Sequence, residues 1–122
     1  MTDQPRHIRL KLAREPGHPH GDPGTGYDIV AFLDDDGRLD LDACRDAGDR
    51  CRVRRFVDDD TVATGRLRHT TGDRWLLDFP ENGEDATGFR LGDERFVTGE
   101  YVSMIAGDGA THTYVVERVA EL

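Results

Sequence analysis

The chain is poor in the residues that most often carry chemistry. It has one serine (Ser103), one lysine (Lys11) and two cysteines (Cys44 and Cys51) in 122 residues. No Gly-x-Ser-x-Gly turn is present, and Ser103 stands in an apolar run, which excludes a serine-hydrolase elbow. The segment Gly21-Asp22-Pro23-Gly24-Thr25-Gly26 lacks the Gly-Lys-Ser/Thr ending of a phosphate loop. No stretch approaches the roughly 18 apolar residues a membrane helix needs. Residues 1–9 lack a charged start followed by an apolar run, so no secretory leader is expected either. Cys44 and Cys51 lie too far apart for an ordinary zinc pair, and no second pair exists. In a chain read as cytoplasmic they are expected to be free thiols packed as small hydrophobes.

What the chain has is charge. Its net charge is −9, from 25 Asp and Glu against 16 Lys and Arg. Asp outnumbers Glu and Arg outnumbers Lys, a bias expected of a GC-rich bacterial genome, with salt adaptation as the rival reading. A net negative surface repels nucleic-acid phosphates and acidic lipid at long range, so neither nucleic acid nor membrane is the expected partner. Leu, Ile, Val and Phe make up 27 residues, enough for a thin core. That content lies just above the roughly 20% below which a charged chain stays disordered.

Patterning predicts strands. Ile8, Leu10 and Leu12 alternate with Arg9 and Lys11 over residues 6–13, so the apolar side chains share one face. Residues 16–26 hold three prolines and are expected to be neither helix nor central strand. Residues 27–33 read as a strand apolar on both faces. After the turn Asp34-Asp35-Asp36-Gly37, Asp40 is placed to cap a short helix over 41–47. Residues 51–57 and 62–70 form a hairpin across Asp58-Asp59-Asp60, with a bulge predicted where Arg54 and Arg55 stand side by side. Residues 74–79 follow, with Trp75, Leu77 and Phe79 inward, and then a polar loop over 80–88. A broken strand is expected over 89–96, and strands 99–106 and 111–119 flank the turn Gly107-Asp108-Gly109-Ala110. The fold class is therefore mostly β: an antiparallel barrel or sandwich of seven or eight short strands with one short helix, in one domain spanning 1–122.

The runs Arg14-Glu15-Pro16-Gly17-His18-Pro19, Gly26-Tyr27-Asp28, Gly92-Asp93-Glu94-Arg95-Phe96, Gly99-Glu100-Tyr101-Val102-Ser103 and His112-Thr113-Tyr114 resemble a set of small bacterial proteins of unassigned function. That resemblance implies no catalytic residue and no cofactor. The ending, residues 96–119, is similar in rhythm to the SH3-like barrels, which bears on fold and not on function.

Two segments attract a functional reading. His18, His20 and Asp22 bring two imidazoles and a carboxylate into a proline-stiffened loop, a donor set suited to zinc, nickel or iron. In an extended loop, however, the two histidines face opposite ways, and a site needs help from His7 or His112. The bland alternative is a polar loop with solvated histidines. The aspartate run at 34–36 fails as a calcium loop, because Phe32 and Ala43 then occupy positions that require acidic ligands.

The second segment is the arginine hairpin. Arg52 and Arg54 share one strand face, and Arg66 and Arg68 share the facing one, giving a basic strip on an acidic chain. Neutralisation in place by Asp46, Asp49, Asp58 and Asp60 is the competing account. With no catalytic constellation in view, the expected function is a non-enzymatic binding or accessory module. The strip would contact an acidic protein segment or a small anionic ligand, and no cofactor is expected. The alternative is a metal-binding protein or metal-dependent enzyme centred on His18, His20 and Asp22.

Overall fold

The computed structural model describes residues 4–14, 19–47, 50–70, 74–79, 86–88, 94–105 and 109–121. Among them are β1 (Arg6–Leu12), β2 (Asp22–Ala31), α1 (Leu41–Ala47), β3 (Arg52–Val57), β4 (Asp60–His69), β5 (Trp75–Asp78), β6 (Ala86–Gly88), β7 (Tyr101–Ile105) and β8 (Thr111–Glu121). Seven strands, in the order β7-β8-β1-β2-β3-β4-β5, form a continuous antiparallel sheet that curls on itself. Three-residue β6 bridges β5 to β7 and closes the barrel. The seam between β6 and β7 is the thinnest, a single pair between Thr87 and Ile105.

Period-two patterning decides the inside. Ile8, Leu10 and Leu12 of β1 are buried, as are Tyr27, Ile29 and Ala31 of β2. Trp75 and Leu77 of β5 and Phe79 just beyond it join them, with Val102, Met104, Tyr114 and Val116 from β7 and β8. Side chains from facing walls meet within this core. The Tyr27 ring stands edge-on to Tyr114 at 5.2 Å and stacks with Phe79 at 6.4 Å. Strand crossings are tight at two glycines. A Cβ on Gly26 would sit 1.8 Å from the Leu10 carbonyl oxygen, and one on Gly65 would sit 1.8 Å from that of Asp78.

The helix forms where its cap predicts. Asp40 accepts from the Ala43 amide through Oδ1 at 3.1 Å, and its carbonyl takes the Cys44 amide at 2.9 Å. The Asp40 amide in turn donates to Phe32 at 2.9 Å, which ties the helix start to the end of β2. Cys44 faces the core, with Leu41, Ala43 and Ala47 packed against it. The Asp34 turn is closed by its own side chain, whose Oδ1 accepts from the amides of Asp36 and Arg38 at 2.9 and 3.0 Å. The β3–β4 hairpin turns through Asp58 and Asp59 with φ of 53° and 66°, the doubly left-handed form that matches the strand twist.

Three expectations are corrected. β2 begins at Asp22, so part of the proline segment is strand. The register passes from the pair Lys11–Gly26 to Leu12–Asp22, which leaves Pro23 unpaired, so its missing N–H costs no ladder bond. In the second case, strand forms at Ala86–Gly88, inside the expected polar loop, while residues 94–97 are not strand; 89–93 lie outside the described residues. The third concerns the bulge. It lies at the expected level, but the extra residue is Val62 on β4, because Arg55 pairs with Ala63 and Phe56 with Thr61. Against β2 the alternation never slips. Arg55 lies opposite core-facing Tyr27, and Phe56 lies opposite Gly26 on the outer face.

Candidate anion-binding groove

Strand register sorts the arginines into different environments. Asp28 pairs across β2–β3 with Arg54 and across β1–β2 with Arg9, so one carboxylate stands between two guanidinium groups on the outer face. Arg54 Nη1 reaches Asp28 Oδ2 at 2.6 Å, and Arg9 Nη1 lies 3.4 Å from the same oxygen. His7 Nε2 lies 2.9 Å from Oδ1. Arg54 also donates to the Thr61 hydroxyl through Nε and to the Asp59 carbonyl at 3.2 Å. Beneath the guanidinium groups lies Phe56, fully buried although on the outer face, with Arg9 at 4.2 Å and Arg54 at 5.4 Å from its ring centre. Desolvated cation–π contacts of this kind stabilise by up to about 2 kcal/mol. Arg54 is therefore built into a structural cluster.

The other three strip residues stand together. Arg52 lies directly opposite Arg66, and Arg66 lies opposite Asp78 on the far side. Arg68 donates to Asp78 Oδ2 at 3.1 Å, with 63% of its side chain exposed. Asp28 and Asp78 are thus the carboxylates that meet Arg54 and Arg68. The expected neutralisers Asp46, Asp58 and Asp60 make none of these contacts; Asp49 lies outside the described residues.

Beside this end of β4, α1 leaves an open groove of about 480 Å³. Arg66, Leu67, Arg68, His69 and Thr70 of the β4 end, Trp75 of β5, and Cys44 and Arg45 of α1 line it. Exposed Arg45 adds a third arginine from a second element, a residue that hairpin alternation could not have placed there. The His69 ring meets Trp75 edge-on at 5.2 Å. Leu67 donates its amide to the Cys51 carbonyl at 3.1 Å, which fixes β4 against the start of β3 below the groove.

The histidine loop looks different. His18 lies outside the described residues. His20 is exposed, and both oxygens of Asp22 are taken by its own turn, from the Gly24 amide at 3.0 Å and the Thr25 hydroxyl at 2.8 Å. His7 is held by Asp28 and by Arg118 Nη2 at 3.3 Å. Among the described residues, no group of three or more His, Cys, Asp or Glu side chains could hold a metal ion. Also among them, no helix is long and apolar enough to cross a membrane. No family model matches this chain, and no curated protein or solved structure matches it either.

Proposed function

We propose that this protein is a non-enzymatic binding module that takes a small carboxylated or phosphorylated ligand in the groove between α1 and the β4–β5 end. One observation carries the reading: Arg45, Arg66 and Arg68, from two elements, are among the residues that line a ligand-sized groove on a chain whose net charge is −9. An anion is repelled by most of such a surface and attracted only where the guanidinium groups cluster. Bidentate arginine contacts then fix its orientation. Arg52, exposed and in register with Arg66, extends the positive edge of the groove. Arg54 is outside the reading, because it stands in the Asp28 cluster and does not line the groove. Two free, buried cysteines suit a protein of the reducing cytoplasm.

Trp75 is the only tryptophan and lines the groove, so its fluorescence reports occupancy. Titration with citrate and with inorganic phosphate at low ionic strength is expected to change that emission saturably, with weaker binding as salt is added. The double change Arg45→Gln and Arg66→Gln is expected to lower affinity about tenfold or more, the loss of one or two charge-assisted hydrogen bonds. Arg54→Gln leaves affinity unchanged. Absence of any saturable change with either anion, or equal losses in Arg54→Gln and the double variant, overturns the proposal.

A further inference from the structure

The curled sheet gives β3, β2, β1 and β8 one continuous outer face, and strand register places the charges on it. Arg52 lies opposite Val30, and Val30 lies opposite His7. In the next outward row Arg54, Asp28, Arg9 and Arg118 follow one another across the four strands, and Lys11 stands one row further along β1. Five cations, Arg9, Lys11, Arg52, Arg54 and Arg118, thus share the face with three carboxylates: Asp28, Asp59 at the hairpin turn and Glu117 at the β8 bulge. Five against three leaves +2 here on a chain whose net charge is −9, so the remainder carries −11.

The carboxylates gather at the centre of this face. Asp28 takes Arg54, His7 and Arg9, and both Asp59 and Glu117 turn to Arg9, at 3.4 and 3.5 Å. The flanks are unmatched. Arg52 and Arg118 are exposed, and among the described residues neither meets a carboxylate; Arg118 Nη2 lies 3.3 Å from His7 Nδ1. Each also faces a like charge, because Arg52 lies opposite Arg66 and Arg118 lies opposite Arg9. Like charges directly opposite on a sheet are destabilising. An anion laid between them relieves the repulsion and accepts charge-assisted hydrogen bonds.

We propose that the outer face of β3, β2, β1 and β8 binds an extended acidic polypeptide segment, whose carboxylates pair with Arg52 at one flank and Arg118 at the other. Three strand spacings of about 4.8 Å separate the two, roughly 14 Å across the sheet. An extended chain rises about 3.4 Å per residue, and every second side chain, about 6.8 Å apart, points the same way. Acidic residues at alternate positions therefore reach both flanks and pass over the neutral outward side chain of Val30. A small anion reaches one flank at a time. Nucleic acid fits less well. Phe56 is buried beneath Arg9 and Arg54, and His7 is held between Asp28 and Arg118, which leaves bases little to stack on. The acidic remainder of the chain also repels a long polyphosphate. The face is separate from the groove, and Arg52, opposite the groove residue Arg66, borders both.

The test follows the fluorescence anisotropy of a labelled peptide of about nine residues, glutamate alternating with serine, as the full chain is added at low ionic strength. Saturable binding is expected, weaker as salt is added, with none to the peptide that carries glutamine in place of glutamate. Arg52→Gln combined with Arg118→Gln is expected to lower affinity about tenfold or more, the loss of two charge-assisted hydrogen bonds. Arg38→Gln combined with Arg95→Gln changes the net charge equally at the Asp34 turn and is expected to leave the affinity at the wild-type value. The peptide's label reports on this face and Trp75 on the groove, so a failed peptide titration and a failed citrate titration are separate results. No saturable change with the wild-type protein, equal losses in the two double variants, or tighter binding of an oligothymidylate of the same charge than of the acidic peptide each overturns the proposal. The wild-type titrations need no variant to fold.

Discussion

Replacing Asp28 with asparagine tests whether the cluster of Arg54, Arg9 and His7 around it holds the barrel together. The Asp28 side chain is 12% exposed and meets three donors, Arg54 at 2.6 Å, His7 at 2.9 Å and Arg9 at 3.4 Å. Asparagine keeps the shape and one acceptor oxygen but removes the charge. Arg54 over Phe56 then loses its carboxylate, while Arg9 keeps exposed partners in Asp59 at 3.4 Å and Glu117 at 3.5 Å. Charge-assisted hydrogen bonds contribute about 1.5–3 kcal/mol each, and a stranded charge adds to the loss. Relief of one unit of negative charge on a chain at −9 offsets a small part. The net cost is expected to be about 2–3 kcal/mol. An unfolding entropy of about 2.1 cal/mol/K per residue over 122 residues converts this to a fall in melting temperature of about 8–12 °C. Arg68→Gln is the control. Its pair with Asp78 is largely exposed, worth about 0–1 kcal/mol, and should cost no more than about 4 °C. Thermal melting by circular dichroism at low and high salt measures both. A loss at Asp28 no larger than at Arg68 refutes the assignment of Arg54 to structure.

Two further predictions test the frame around the groove. Gly65→Ala places a Cβ 1.8 Å from the Asp78 carbonyl oxygen, so β4 and β5 must part; a loss of about 3 kcal/mol in urea denaturation is expected, and a neutral result contradicts the close crossing. Burial raises the Tyr27 phenol above its ordinary value of 10.0, so above that pH the unfolded chain releases a proton the folded chain keeps, and stability falls as pH rises; Tyr27→Phe should flatten this alkaline slope, and an unchanged slope sinks the idea.

Much of the barrel was legible because its signals are local. Ile8, Leu10 and Leu12 announce their shared face through alternation alone, and Asp40 announces a helix through the amides it caps. Where the sequence misled, a neighbouring strand had the deciding part. Pro23 is admitted to β2 because β1 skips its position, a fact of register that no window around the proline contains. Phe56 reads as an inward side chain after two adjacent arginines. It lies instead on the outer face, buried by Arg9 from a strand 47 positions away in sequence and by its own neighbour Arg54.

The same limit governs the site. Arg54 and Arg66 are the same residue type, each on an outward position of the same hairpin, and alternation along the strands does not tell them apart. The strand beyond sets a carboxylate opposite each, and what differs is the company around it. β2 brings Asp28 opposite Arg54, and a half-buried carboxylate turns that guanidinium into part of the wall. β5 brings Asp78 opposite Arg66 and within 3.1 Å of Arg68, and the two arginines stand in the lining of the groove beside α1. A strip read from periodicity thus divides between the Asp28 cluster and the wall of the groove. Arg45 joins the groove for the corresponding reason: a helix capped by Asp40 and packed through Cys44 carries the next residue to the groove edge. The arginine excess was visible in composition, but which carboxylate, hydroxyl or ring a given guanidinium meets is a property of long-range pairing.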